Sequence, residues 1–94
     1  MNSISIIIPC LNYEKLIFSN LEKIVDKINL FKLKYEIIVV NDGSTDNTQN
    51  EILRFMKKNG NIKLISNSTN KGKSLSIISS IKECKFNKII LIDC

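Results

Sequence analysis

Ninety-four residues, 44% of them hydrophobic and with a formal net charge of +5, suffice for one small domain or a piece of a larger one and leave no room for a second. The absence of histidine excludes His-based triads, imidazole acid–base catalysis and the H-E-x-x-H metalloprotease motif. The lysines are scattered without a basic stripe and aromatic residues make up only 6%, which argues for a solvated basic surface and against a nucleic-acid-binding module.

The first apolar run, Ile4 to Ile8, reads as a strand stopped by Pro9; without a basic segment before it, it is far too short for a signal peptide or a membrane span. Ile17, Leu21, Ile24, Val25, Ile28 and Phe31 then recur at steps of three and four, the stripe of an amphipathic helix from about Glu14 to Phe31. Ile37 to Val40 is β-branched throughout and does not alternate, as expected of a strand buried on both faces. Asn41 to Asp46 follow, residue types suited to positive φ, side-chain-to-backbone bonds and helix caps. A second helix should start near Asp46 to Thr48, where TQNE matches a capping box, bury Ile52, Leu53, Phe55 and Met56, and stop at Gly60. Ile62 to Ile65 is a third strand. A third helix, from about Lys73 to Lys85, would bury Leu75, Ile77, Ile78, Ile81 and Cys84, although serines at 74, 76, 79 and 80 are mediocre helix formers. Ile89 to Ile92 is the fourth strand.

The order β-α-β-α-β-α-β implies an α/β fold: a Rossmann-like parallel sheet with right-handed crossovers and helices on both faces. If the chain turns back after the third strand, the sheet order is 3-2-1-4. The switch point then lies between strands 1 and 4, with Pro9 to Tyr13 and Asp93 lining its crevice and Asp42 on the neighbouring strand. Asp42 could accept hydrogen bonds from a base N–H or a ribose hydroxyl, and Asp93 could bind a divalent metal that neutralises a diphosphate. Other positions have structural readings beside functional ones. Asp46 suits a helix cap, Asn12 either a cap or a ligand contact, and Lys71 and Lys73 around Gly72 are solvated or lie near phosphate. Neither G-x-G-x-x-G nor G-x-x-x-x-G-K-[ST] occurs, so a dinucleotide fold or P-loop is unsupported. Cysteines 10, 84 and 94, odd in number and without a C-x-x-C pair, read as small apolar residues in a reducing cytoplasm.

Taken together, SIIIPCLN, EIIVVNDGSTDNT, NKGKS and KIILIDC resemble, in order and spacing, the nucleotide-binding half of family 2 glycosyltransferases. The resemblance covers essentially the whole chain and implies residues 1–94 as the N-terminal nucleotide-sugar-binding part of a GT-A domain, incomplete at its C-terminus. It also implies a nucleoside-diphosphate sugar donor, Mg2+ or Mn2+, and inverting transfer of a hexosyl group to an acceptor hydroxyl. The family's nucleoside and phosphate contacts map onto Pro9, Asn12, Tyr13, Asp42, Gly43, Ser44 and Lys73, and the first aspartate of the D-x-D metal motif onto Asp93. No catalytic residue is assigned within the chain, because the second metal aspartate and the general base lie downstream of that strand in the family. The 94-residue chain alone is therefore expected to be inactive. A cytoplasmic location, including the cytoplasmic face of a membrane reached through parts absent from this chain, goes with the resemblance. Asn41 stands where many relatives have aspartate, and Ser74, Leu75 and Ser76 replace the usual small residues after Lys73. The alternative is a non-catalytic α/β nucleotide-binding or receiver-like signalling domain; a receiver needs an acidic cluster after strand 1, where PCLNYE offers only Glu14.

Overall fold

The structure, a computed structural model, describes residues 2–94. Its elements run β1 (Ser3–Cys10), α1 (Ile17–Leu30), β2 (Lys34–Asp42), α2 (Thr48–Met56), β3 (Ile62–Asn67), α3 (Lys73–Ile81) and β4 (Ile89–Leu91). The strands form one parallel sheet in the order β3-β2-β1-β4. The chain therefore steps outward from β1 through β2 to β3, then returns across the sheet to place β4 on the other side of β1.

Alternate side chains divide the sheet into two faces. Ile4, Ile6, Ile8, Ile37, Val39 and Ile62 pack under α1 and α2, against Ile17, Leu21, Val25, Ile28, Ile52 and Phe55. Ile7, Ile38 and Val40 form a smaller cluster on the opposite face, with Ile65 and Cys84 beside it. Both faces of β1 and β2 are thus covered, which accounts for apolar runs without alternation.

Pro9 does not end its strand. It is buried within β1, paired with Val40. On the β4 side the Ser5 N–H donates to the Lys88 carbonyl and the Ile7 carbonyl accepts the Ile92 N–H. Pro9 shares their parity, so its missing donor faces the gap beyond Leu91, where β4 has stopped and no ladder bond is lost.

The helices differ from expectation in specific ways. α1 begins at Ile17, after a turn in which the Tyr13 carbonyl accepts the Leu16 and Ile17 N–H groups; Asn12 is not its cap, and Phe31 is left exposed past its end. The TQNE capping box does not form, because Thr48 lies inside α2 and its hydroxyl is engaged by Asp46 and by the Tyr13 N–H. Leu53 is exposed and α2 ends at Met56, before Gly60. The largest correction concerns α3. It buries Ser76 and Ser80, while Leu75, Ile78 and Ile81 are 60, 64 and 46% exposed. The sheet face beneath it carries Asp42, Asn67, Ser5 and Glu36 among its apolar residues; the Ser76 hydroxyl accepts the Asn67 amide at 3.1 Å, a bond leucine or isoleucine could not make, while the Ser80 hydroxyl donates to the Ile77 carbonyl of its own helix.

Candidate functional site

A cleft of about 480 Å³ opens at the carboxyl ends of the strands, lined by residues that include Pro9, Tyr13, Asp42, Gly72, Lys73 and Asp93. Asp42 and Asp93, on β2 and just after β4, thus face one space. This is the crevice expected at the switch point between β1 and β4.

Asp42 is buried at the end of β2 on the α3 face. Its Oδ1 accepts the Asn67 side-chain N–H at 2.8 Å and the Lys71 backbone N–H at 2.8 Å, and its Oδ2 accepts the Gly72 N–H at 2.9 Å. Burial by itself would raise its pKa, but the donors from Lys71, Asn67, Ser76 and Gly72 outweigh this and hold the carboxyl below the usual aspartate value. Asp42 is an anion in the folded protein at neutral pH.

Gly43 follows with φ +78°, a conformation that favours glycine. A Cβ there would lie 2.5 Å from the Asn70 nitrogen, so the segment after β3 rests directly on this turn. Gly72, with φ +92°, makes the second such bend and leads into α3.

Asn12 and Ser44 lie behind the cleft and are committed to each other's loops. Asn12 has φ +57°, which asparagine tolerates better than most residues. Its N–H donates to the Ser44 hydroxyl at 2.9 Å, and its Oδ1 accepts the Thr45 N–H at 2.9 Å. Beside this clasp the Tyr13 N–H donates to the Thr48 hydroxyl at 2.8 Å. Asp46 accepts the Thr48 N–H and hydroxyl and, at 3.3 Å, the Glu14 N–H, so it has the structural role that capping residues suggest. The loops after β1 and β2 are thus joined into one rim, from which Tyr13 projects into the cleft.

Across the cleft the Lys73 ammonium pairs with Asp93. Both side chains are exposed, so the pair is screened and open to exchange. Among the described residues no three His, Cys, Asp or Glu side chains cluster as a metal-binding group; Asp93 offers a cation one carboxylate only. Cys10 and Cys94 also line the space. The neighbouring Cys94 thiol and burial push the Cys10 thiol well above its ordinary range, leaving it neutral.

Of the residues singled out from the sequence, the cleft unites Pro9, Tyr13, Asp42, Lys73 and Asp93 and places Asn12, Gly43 and Ser44 in the supporting layer. Sequence reasoning missed Asn67 and Ser76, which hold Asp42. Two serines four positions apart, on the face of α3 that would otherwise be apolar, were the available signal.

A family model described as glycosyl transferase family 2 matches residues 5–94. An uncharacterized glycosyltransferase of Synechocystis sp. is 33% identical over 96% of this chain and 28% of its own length. The mannosyltransferase PcManGT from Pyrobaculum calidifontis, solved with GDP-Man and Mn2+, superposes with a TM-score of 0.81 at 21% identity, covering 96% of this chain and 26% of that one. Glucosyl-3-phosphoglycerate synthase from Mycobacterium tuberculosis, solved with Mn2+, UDP and phosphoglyceric acid, gives 0.78 at 24% identity, covering 98% and 32%. The chain thus spans less than a third of the length of the relatives it matches.

Proposed function

Since the chain belongs to glycosyl transferase family 2, we propose that it forms the donor-binding part of a nucleotide-sugar-dependent transferase, with the cleft above β1, β2 and β4 as the nucleoside-diphosphate sugar site. The observation that carries this reading is the convergence of Asp42, Lys73 and Asp93, from three separate segments, on one cleft with an apolar wall at Pro9 and Tyr13.

In this reading Pro9 and Tyr13 pack against the nucleoside, and Asp42 belongs to the nucleoside end. Lys73 moves from Asp93 to the diphosphate, where a flexible ammonium is an effective counter-charge. Asn12, Gly43 and Ser44 contribute by fixing the shape of the rim. A divalent cation, Mg2+ or Mn2+, would take Asp93 as one ligand and neutralise diphosphate charge when bound; this chain's residues do not complete such a site. Departure of the nucleoside diphosphate is then favoured by Lys73, whose charge matches the charge that develops on the leaving group.

Attack on the sugar C1 by an acceptor hydroxyl, with inversion, needs a general base. We assign none within residues 1–94, and the chain alone is expected to bind donor without transferring sugar. The boundary reading is supported by the exposed Ile89, Ile90 and Leu91 of the unpaired β4 edge and by the exposed apolar side of α3, surfaces that further polypeptide of the same domain would cover. A cytoplasmic location, free or at a membrane face, goes with this reading; among the described residues no helix is long and apolar enough to cross a membrane.

Calorimetric titration of the 94-residue protein with UDP and GDP, each with and without Mn2+, tests the assignment. Saturable binding strengthened by Mn2+ is expected. Absence of saturable binding for either nucleotide in both conditions overturns it.

A further inference from the structure

β1 and β4 run parallel with Ile7 opposite Leu91, and the Ile92 N–H continues the ladder to the Ile7 carbonyl at 3.0 Å. Carried three positions further, that register sets Cys10 opposite Cys94. Side chains alternate along a strand, and Cys10 and Cys94 fall on the same face as Ile8 and Ile92, in the core cluster under α1 and α2. Two free thiols thus lie side by side where the ladder ends, and both line the cleft.

The spacing suits a covalent bond between them. Neighbouring strands lie about 4.8 Å apart, inside the roughly 4.4–6.8 Å between Cα atoms that a disulfide spans. Because β4 ends at Leu91, Cys94 is free of ladder bonds and can make the small approach that closure needs. Cys84, the third cysteine, packs on the opposite face of the sheet beside Ile7, Ile38 and Val40 and does not compete. Access differs within the pair: Cys94 is half-buried, whereas Cys10 is 5% exposed.

We propose that Cys10 and Cys94 are a redox pair whose disulfide, formed under oxidation, fastens the carboxyl end of β4 to β1 beneath the cleft and steadies the adjacent Asp93. The oxidant is a low-molecular-weight disulfide. Cys94 attacks one of its sulfurs, releasing one small thiol and leaving a mixed disulfide. Cys10 then gives up its proton and attacks the Cys94 sulfur, displacing the second small thiol, which takes up a proton. Two cysteine thiols are oxidised to one disulfide as the small disulfide is reduced to two thiols. The second step is the slow one, because Cys10 is buried and neutral. In a reducing compartment the thiols prevail and the bond marks an oxidising excursion. The effect on Asp93 rests on the donor-binding reading above; the bond itself does not.

The test exposes the wild-type chain, Cys10→Ala, Cys94→Ala and Cys84→Ala to glutathione disulfide, followed by thiol counting, intact mass and peptide mapping. Wild type should lose two of its three thiols without retaining glutathione, and the mapped bridge should join residues 10 and 94. Cys84→Ala should form the same bridge, Cys10→Ala should stop at a mixed disulfide on Cys94, and Cys94→Ala should form no bridge. The oxidised wild type should melt about 10 °C above the reduced protein, and dithiothreitol should reverse the gain. Its Mn2+-dependent binding of UDP or GDP should be tighter by about threefold, since a fixed strand end costs less to order. A wild type that keeps all three thiols, that stops at the mixed disulfide, or that bridges through Cys84 overturns the pair; mapping of the wild type decides this even where a variant fails to fold. A bridged protein with unchanged nucleotide affinity overturns the steadying of Asp93. Absence of nucleotide binding in both redox states overturns the donor-site reading instead, while mass and melt still decide the bond.

Discussion

β2 carries a buried carboxylate at each end, both on the α3 face, and the two are used differently. Glu36, near the amino end, accepts the Ser5 hydroxyl at 2.7 Å and the Lys85 N–H, and the Lys63 ammonium lies 3.3 Å from its other oxygen. Ser5 in turn accepts the Phe86 N–H at 3.1 Å. Glu36 thereby fastens the connection from α3 to β4 as Asp42 fastens the connection from β3 to α3. The difference is where the fastened segment leads. At the amino end it closes the fold, whereas at the carboxyl end it opens onto a cleft, as expected of ligand sites in parallel sheets. A buried, hydrogen-bonded acid is therefore not a mark of function by itself; the end of the strand decides.

The largest expected effect separates the two on stability. Glu36→Ala leaves the Lys85 N–H and the Ser5 hydroxyl without their buried acceptor, and should cost about 3 kcal/mol at roughly 1–3 kcal/mol for each stranded group. Thermal melts are the measurement. Any folded fraction at low temperature should bind nucleotide with wild-type affinity. A Glu36→Ala protein that melts with the wild type, or that keeps its melt and loses nucleotide, would erase the distinction.

A smaller effect is expected from the turn beneath Asp42. Gly43→Ala places a Cβ 2.5 Å from the Asn70 nitrogen in a backbone with φ +78°, costing about 2 kcal/mol and displacing the segment that carries Lys73. Gly60→Ala is the control. Nothing lies within 4 Å of a Cβ there, so its melt should stay within about 0.5 kcal/mol of wild type or rise slightly. Equal melts for the two variants would show that the close approach at Gly43 has no energetic weight.

The same contrast shows what could be read from the sequence. The doubly buried strands and the 3-2-1-4 order were legible because contiguous β-branched runs and the crossover rule are local signals. That order alone brought Asp42 and Asp93 to one crevice. Strand ends were not legible: Asn41 and Asp42 extend β2, and Ser66 and Asn67 extend β3, because ladder bonds use the backbone whatever the side chain. α3 was read inside out for a related reason. Its four apolar residues are matched by four hydroxyls, and the polar positions of the sheet beneath, Ser5, Glu36, Asp42 and Asn67, favour the serine side facing inward. That information lies in three other segments, and so do Asn67 and Ser76 as partners of Asp42.

Acid should act on both carboxylates with the same sign. For Glu36, burial would raise the pKa, but the Lys85 amide, Ser5 and Lys63 outweigh it and leave the group below the ordinary glutamate value; Asp42 is depressed likewise. A carboxyl whose folded pKa is depressed contributes stability that is fully present above its unfolded pKa and disappears as pH falls through the folded value, because the unfolded chain binds the proton first. The loss should therefore begin near the ordinary carboxylate pKa values of about 4 and continue below them. Melts recorded from pH 7 down to about pH 2.5 should fall steeply in that window for wild type and less steeply for Glu36→Gln and for Asp42→Asn. Half-buried Asp46 and Glu51, also depressed, retain their share in every variant. The two substitutions flatten the acid limb alike, but only Asp42→Asn should also weaken nucleotide binding at pH 7. Parallel acid limbs in all three proteins would mean that neither buried anion is linked to folding, and the shared fastening role would have to be abandoned for both ends of β2.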